Sequence, residues 1–181
     1  MTVKKYRVIQ WSSGNVGKAS IRGICNRSDL ELVGLIVSDE KKNGLDAGTI
    51  SGIDEIGVLA STNIEEVLSI KADCVNYTPL ASLRLGDDPD ADKKNILFLL
   101  RRGFNVVTTV GFLYPKAFGE DFEKEIQDAC LEGGSSLHGT GIAPGWLSDL
   151  VPLTMSGMSE EISEVRVTES SEFSYYPSEE I

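Results

Sequence analysis

Residues 6–18, Tyr6-Arg7-Val8-Ile9-Gln10-Trp11-Ser12-Ser13-Gly14-Asn15-Val16-Gly17-Lys18, decide the fold. They read as a short buried strand, a tight turn with glycines three apart, and the opening of a helix. An open α/β sheet seats a dinucleotide pyrophosphate at such a turn. Gly14 would let phosphates approach backbone N–H groups, and Gly17 would let the helix lie close on the strand. The helix start then aims its unpaired N–H groups and positive dipole end at the anion. Ser12 stands where the full G-x-G-x-x-G fingerprint has its first glycine, so two of the three glycines are present. Ser13, Gly14, Asn15, Val16 and Gly17 are therefore the expected pyrophosphate contacts.

After the glycines, Val16, Ser20, Ile21 and Ile24 recur at helical spacing, with Gly23 on the same side as a close-packing position against the sheet. Leu30 to Val37 is a near-continuous apolar run, as expected of a parallel strand covered on both faces. It ends in Ser38-Asp39-Glu40-Lys41-Lys42, about 20 residues beyond the glycines, where these folds meet the adenine ribose. Asp39 accepting from a ribose 2′-OH would favour NAD. Ser38 with Lys41 or Lys42 holding a 2′-phosphate would favour NADP, and the residues point both ways.

Leu45 to Gly57 reads as a loop with one helical turn, and Thr62-Asn63-Ile64-Glu65 as a capping box opening a short helix. A third strand covers 72–79. Asp88-Pro89 reads as a helix start with proline at the first position, followed by Ile96, Leu97, Leu99 and Leu100 and closed by Gly103. A fourth strand covers 105–112. The next helix carries Phe118, Phe122, Ile126 and Ala129 and stops at Gly133-Gly134. A fifth strand holds Leu137 and His138, and a helix bent by Pro152 follows from Trp146 to Met155. This alternation predicts a Rossmann-type doubly wound parallel α/β sheet with right-handed crossovers. Its ligand would lie beyond the carboxyl ends of the strands, where small, polar or glycine residues stand at all five.

The chain has 181 residues, enough for one domain and the edge of a second. We expect a nucleotide-binding domain over 1–150 and the start of an α+β substrate domain over 151–181, the chain stopping just inside it. From Ser159 onward seven glutamates face Arg166 alone. Val165-Arg166-Val167-Thr168 alternates as a strand should, and Phe173, Tyr175 and Tyr176 read as residues to be buried. The net charge of −11, without a basic stripe, excludes nucleic acid as the expected partner. No apolar run approaches the ~20 residues of a membrane span, and the N-terminus shows no signal-peptide pattern. Cytoplasm is the expected compartment. Cys25, Cys74 and Cys130 are far apart, lack zinc spacing and read as buried or half-buried thiols, so no metal is expected.

The segments 8–24, 30–38, 105–119 and 133–145 resemble the nucleotide-binding half of the dihydrodipicolinate reductase-like superfamily. The similarity is greatest to its branch of 2,4-diaminopentanoate dehydrogenase and native amine dehydrogenases. Asn76-Tyr77-Thr78-Pro79 is similar to the reductases' Asp-Phe-Thr strand end, and Thr108-Thr109-Val110-Gly111-Phe112 to their Gly-Thr-Thr-Gly-Phe turn. The resemblance implies that Thr78, Thr109 and Gly111 lie on the nicotinamide side. It also implies a catalytic glutamate just after the fourth strand, where this chain has Val110-Gly111-Phe112-Leu113 and no acid. Family members are about twice as long, which makes this a partial member, and full-length relatives are expected to be homo-oligomers.

His138, the single histidine, is the catalytic candidate, weighed against a structural histidine bonded to backbone. Tyr114 and Lys116 read as a helix-start turn. The implied activity is hydride transfer between NAD or NADP and a C=N or C=O carbon of a small substrate. A nucleotide-binding module without catalysis and, more remotely, a methyltransferase are the alternatives.

Overall fold

The computed structural model describes residues 4–82, 88–170 and 172. The chain divides into two compact units, Met1–Gly139 and Thr140–Ile181, where the sequence placed its boundary at 150.

The first unit is built on a six-stranded sheet: β1 (Tyr6–Trp11), β2 (Leu30–Ile36), β3 (Ala60–Ser61), β4 (Cys74–Tyr77), β5 (Asn105–Thr108) and β6 (Leu137–Gly139). Every pairing is parallel and the strand order is β3-β2-β1-β4-β5-β6, so the predicted doubly wound α/β fold is present. The order reverses direction between β1 and β4. Their carboxyl ends therefore splay their connections to opposite sides and open a crevice there. One strand escaped the sequence: β3 has two residues, too few to show a period, and the strands counted third to fifth are β4 to β6.

Side-chain alternation divides the core between the two faces of the sheet. Val8, Leu32 and Leu35 pack with Ile21 and Ile24 of α1 (Asn15–Cys25) and Ala47 of α2 (Ala47–Ser51). Ile9, Trp11, Val75, Tyr77 and Val106 pack on the other face. There they meet Val67 of α3 (Ile64–Leu68), Ile96, Leu97, Leu99 and Leu100 of α4 (Ala91–Arg101), and Ile126 and Ala129 of α5 (Glu120–Gly133).

Several local expectations shift. Gly23 is exposed with open space around it, so the close packing on the sheet belongs to Gly17 alone within α1. Val16 is exposed, because it lies at the helix mouth. The N-cap of α3 is Asn63, whose side chain accepts from Glu66 N–H, one position after the expected Thr62. The residue before α4 is Asp90; Asp88 instead folds onto Asp90 N–H ahead of it. Cys25 is exposed, while Cys74 and Cys130 are half-buried. Phe118 falls in a short 3-10 turn, Pro115–Phe118, which Tyr114 precedes at the N-cap position.

In the second unit, Ile142–Leu150 is helical apart from non-helical dihedrals at Ala143, Pro144 and Gly145, and α6 (Val151–Ser156) follows. The interruption thus precedes Trp146, while Leu150 and Val151 both keep right-handed helical dihedrals where the two stretches meet, next to Pro152. Val165 to Thr168 form no strand and are exposed, since a strand needs a neighbour with which to pair. Phe173, Tyr175 and Tyr176 lie outside the described residues.

Candidate functional site

The crevice begins with Gln10, fully buried near the end of β1. Its Nε2 donates to the carbonyls of Trp11 (3.1 Å) and Ser12 (3.0 Å) and to Thr78 Oγ1 (2.8 Å). Its Oε1 accepts from Asn76 Nδ2 at 2.7 Å, across the β1–β4 register. One amide thus ties the glycine turn to the end of β4. A buried amide with all its partners fixes geometry on both sides, because losing any one leaves a desolvated polar group. The sequence reading missed Gln10; its signal was an amide inside an otherwise apolar strand.

Ser12 takes φ +85°, the left-handed region that suits the glycine of the full fingerprint. Gly14 is the N-cap of α1, and its N–H makes a long 3.5 Å approach to Ser12 Oγ. A Cβ on Gly14 would meet only Ser12 Oγ, at 3.9 Å, so the space beside it is open. A Cβ on Gly17 would collide with the Ser12 carbonyl, so there the glycine is required by close helix-on-strand packing. Among the described residues no side chain caps α1, and no acid sits in its first turn, which leaves the N–H groups of Asn15, Val16 and Gly17 without an intrahelical acceptor. Donors, dipole and room coincide, and these residues fit a pyrophosphate.

The other expected contacts lie around this turn. Thr78 is buried, with its N–H on the Trp11 carbonyl at 3.1 Å, and Thr109 N–H reaches the Tyr77 carbonyl at 3.4 Å. Gly111 follows at φ +96° with open space at its Cβ position. Ser38 and Asp39 follow β2 and are exposed. Asp39 caps a 3-10 turn, Glu40–Lys42, its Oδ1 accepting from Lys41 N–H at 3.0 Å. Lys42 reaches back to the glycine turn, with Nζ 3.1 Å from Ser13 Oγ and 3.5 Å from its carbonyl. The carbonyl ends of β1, β2, β4 and β5 thus bring Ser13 to Gly17, Ser38, Asp39, Thr78, Thr109 and Gly111 to one edge of the sheet.

His138 lies apart from that cluster. It sits on the edge strand β6 opposite Val107, one residue before the strand end, and is exposed. It lines a cavity of about 580 Å³ with Phe112, Leu113, Pro115 and residues of α5. Its ring makes no hydrogen bond among the described residues. Beneath the loop after β4, Tyr77 OH donates to buried Asp92 Oδ1 at 2.8 Å, and Asp92 Oδ2 accepts from Ser82 N–H at 2.7 Å. Burial above all, with the Asp92 carboxylate beside it, pushes the Tyr77 hydroxyl up, so it stays a proton donor to Asp92.

No protein-family model matches the chain. An amine dehydrogenase of Streptomyces virginiae is 34% identical over 173 residues, which cover 93% of this chain and 46% of that protein. The 2,4-diaminopentanoate dehydrogenase of Acetoanaerobium sticklandii is 27% identical over 90% of this chain and 45% of its own length. Among solved structures, an amine dehydrogenase from Mycobacterium smegmatis superposes with a TM-score of 0.74 at 22% identity, covering 89% of this chain and 46% of that one. The WlbA dehydrogenase of Bordetella pertussis, solved in complex with NADH and UDP-GlcNAcA, gives 0.59 at 18% identity over 87% of this chain and 41% of its own. The chain spans about half the length of the curated relatives that it matches. Over the matched residues the chain is similar in sequence to these two dehydrogenases.

Proposed function

We propose that this chain is the dinucleotide-binding part of an NAD(P)-dependent oxidoreductase that acts at the C=N, or C=O, carbon of a small substrate. The observation that carries the reading is the open, uncapped start of α1 beside Gly14, held at the β1/β4 crevice by Gln10. The names of its sequence relatives support an amine or imine carbon as the reacting centre. When bound, the nicotinamide supplies the hydride chemistry. The chain's own part is to bind and orient. The N–H groups of Asn15 to Gly17 hold the pyrophosphate, and the ends of β4 and β5, Thr78, Thr109 and Gly111, bound the space for the nicotinamide.

The turn Val110–Leu113 offers no acid, and His138 stands off the crevice, so we assign the proton-transfer group to neither. A cytoplasmic setting suits three free cysteines, and we propose a homo-oligomer for the whole protein by likeness to its relatives. No helix of the described residues is long and apolar enough to cross a membrane.

Titrating the purified chain with NADPH and NADH, followed by reduced-nicotinamide fluorescence, tests the reading. Saturable binding of at least one is expected. No binding of either at millimolar concentration, or binding of S-adenosylmethionine in their place, would overturn it.

A further inference from the structure

Lys42 is the last residue of the 3-10 turn that follows β2, and its backbone is fixed on both sides. Its N–H donates to the Asp39 carbonyl at 2.9 Å, and its own carbonyl accepts from Leu45 N–H at 3.1 Å. The next residue, Asn43, ties the turn to the residue just after β3 by accepting from Thr62 N–H at 3.1 Å. From this fixed stem the half-buried side chain crosses to the glycine turn and places its ammonium 3.1 Å from Ser13 Oγ. Two oxygens of one serine are its only hydrogen-bond partners among the described residues, and it makes no ion pair with them. An ammonium has three donors, so capacity remains for an anion.

The acid that would argue for an unphosphorylated ribose is placed differently. Asp39 is exposed, and its Oδ1 is committed to the N–H of Lys41 within its own turn. A carboxylate selects a 2′-OH by accepting from it and repels a 2′-phosphate, whereas a cation at the same place does the reverse. Between the end of β2 and the glycine turn it is the cation that bridges and the carboxylate that stays local.

We propose that Lys42, seated on Ser13, is the specificity-determining residue that turns this site toward the 2′-phosphate of NADP(H) rather than NAD(H). The inference rests on the dinucleotide reading above. The phosphate would take the open donors of the ammonium, which buried Ser13 holds in place. In a chain of net charge −11 the overall field disfavours a polyanionic ligand, so local attraction from a positioned cation such as Lys42 would count in its binding.

The test is a fluorescence titration of the full chain with NADPH and with NADH, for the wild type, Lys42→Ala and Lys42→Gln. The wild type is expected to bind NADPH at least about tenfold more tightly than NADH. Both variants should lose roughly ten- to a hundredfold in NADPH affinity, the size of a charge-assisted contact, with NADH affinity changed by less than about threefold. Retained NADH binding also shows that the variants fold. Equal loss for both dinucleotides, or a wild type that prefers NADH, would overturn the role of Lys42 and leave the dinucleotide site standing. Binding of neither to the wild type would overturn both.

Discussion

Ser12 holds φ at +85°, a conformation that costs a residue with a Cβ about 1 kcal/mol or more relative to glycine. It is retained against that cost by Gln10, which grips the Ser12 carbonyl, and by Ile36, whose carbonyl accepts from Ser12 N–H at 2.9 Å. The two glycines beyond it do different work, and substitution separates them. Gly17→Ala drives a methyl into the Ser12 carbonyl, and we expect a loss of about 2 kcal/mol or more in urea unfolding. Gly14→Ala adds its methyl to open space at φ −69°, so stability should change by less than about 1 kcal/mol. That methyl would occupy the approach to the helix N–H groups, and dinucleotide affinity should fall at least about tenfold. Equal destabilisation by the two substitutions would contradict this division of labour.

At the scale of elements, the sheet and its helices were legible because their signals are local and periodic. Apolar runs marked β1, β2, β4 and β5, and the spacing of Ile21 and Ile24 marked the buried face of α1. The parts that escaped are pairings between distant residues or pieces too short to repeat. Gln10 meets Thr78 across 68 positions, Lys42 meets Ser13 across 29, and β3 is two residues long. Of the candidate site, the glycine turn was legible and the groups that hold it in place were not.

Asp46 belongs to the same class. It caps α2, and its buried carboxylate gathers the loop that returns to β3, accepting from the N–H groups of Gly48 (2.7 Å), Ile56 (3.1 Å) and Gly57 (2.8 Å). Burial pushes this carboxyl up, but the backbone donors of Ile56, Gly48 and Gly57 outweigh it and hold the group below the usual carboxylate range. A folded value below the unfolded one gives stability that is full above the unfolded value, about 3.9, and is lost as pH falls through the folded one. Asp46→Asn should therefore be less stable at pH 7 and lose stability less steeply in acid unfolding below about pH 4. Parallel acid profiles for the two proteins would show that the carboxylate contributes no such linkage.

For the molecule as a whole, the strand order β3-β2-β1-β4-β5-β6 sets the single reversal between β1 and β4, and the uncapped start of α1 lies at that reversal. The sequence likeness to amine and diaminopentanoate dehydrogenases spans about half of their length. The proposed seat of the dinucleotide is therefore the β1–α1 turn. The direct measurement is amide chemical-shift mapping of the isotope-labelled full chain during titration with NADPH. The largest shifts are expected at Gly14, Asn15, Val16 and Gly17, with further shifts at Lys42, Thr78 and Thr109. Saturable binding that leaves the Gly14 to Gly17 amides unmoved, with shifts gathered instead around His138 and α5, would contradict it.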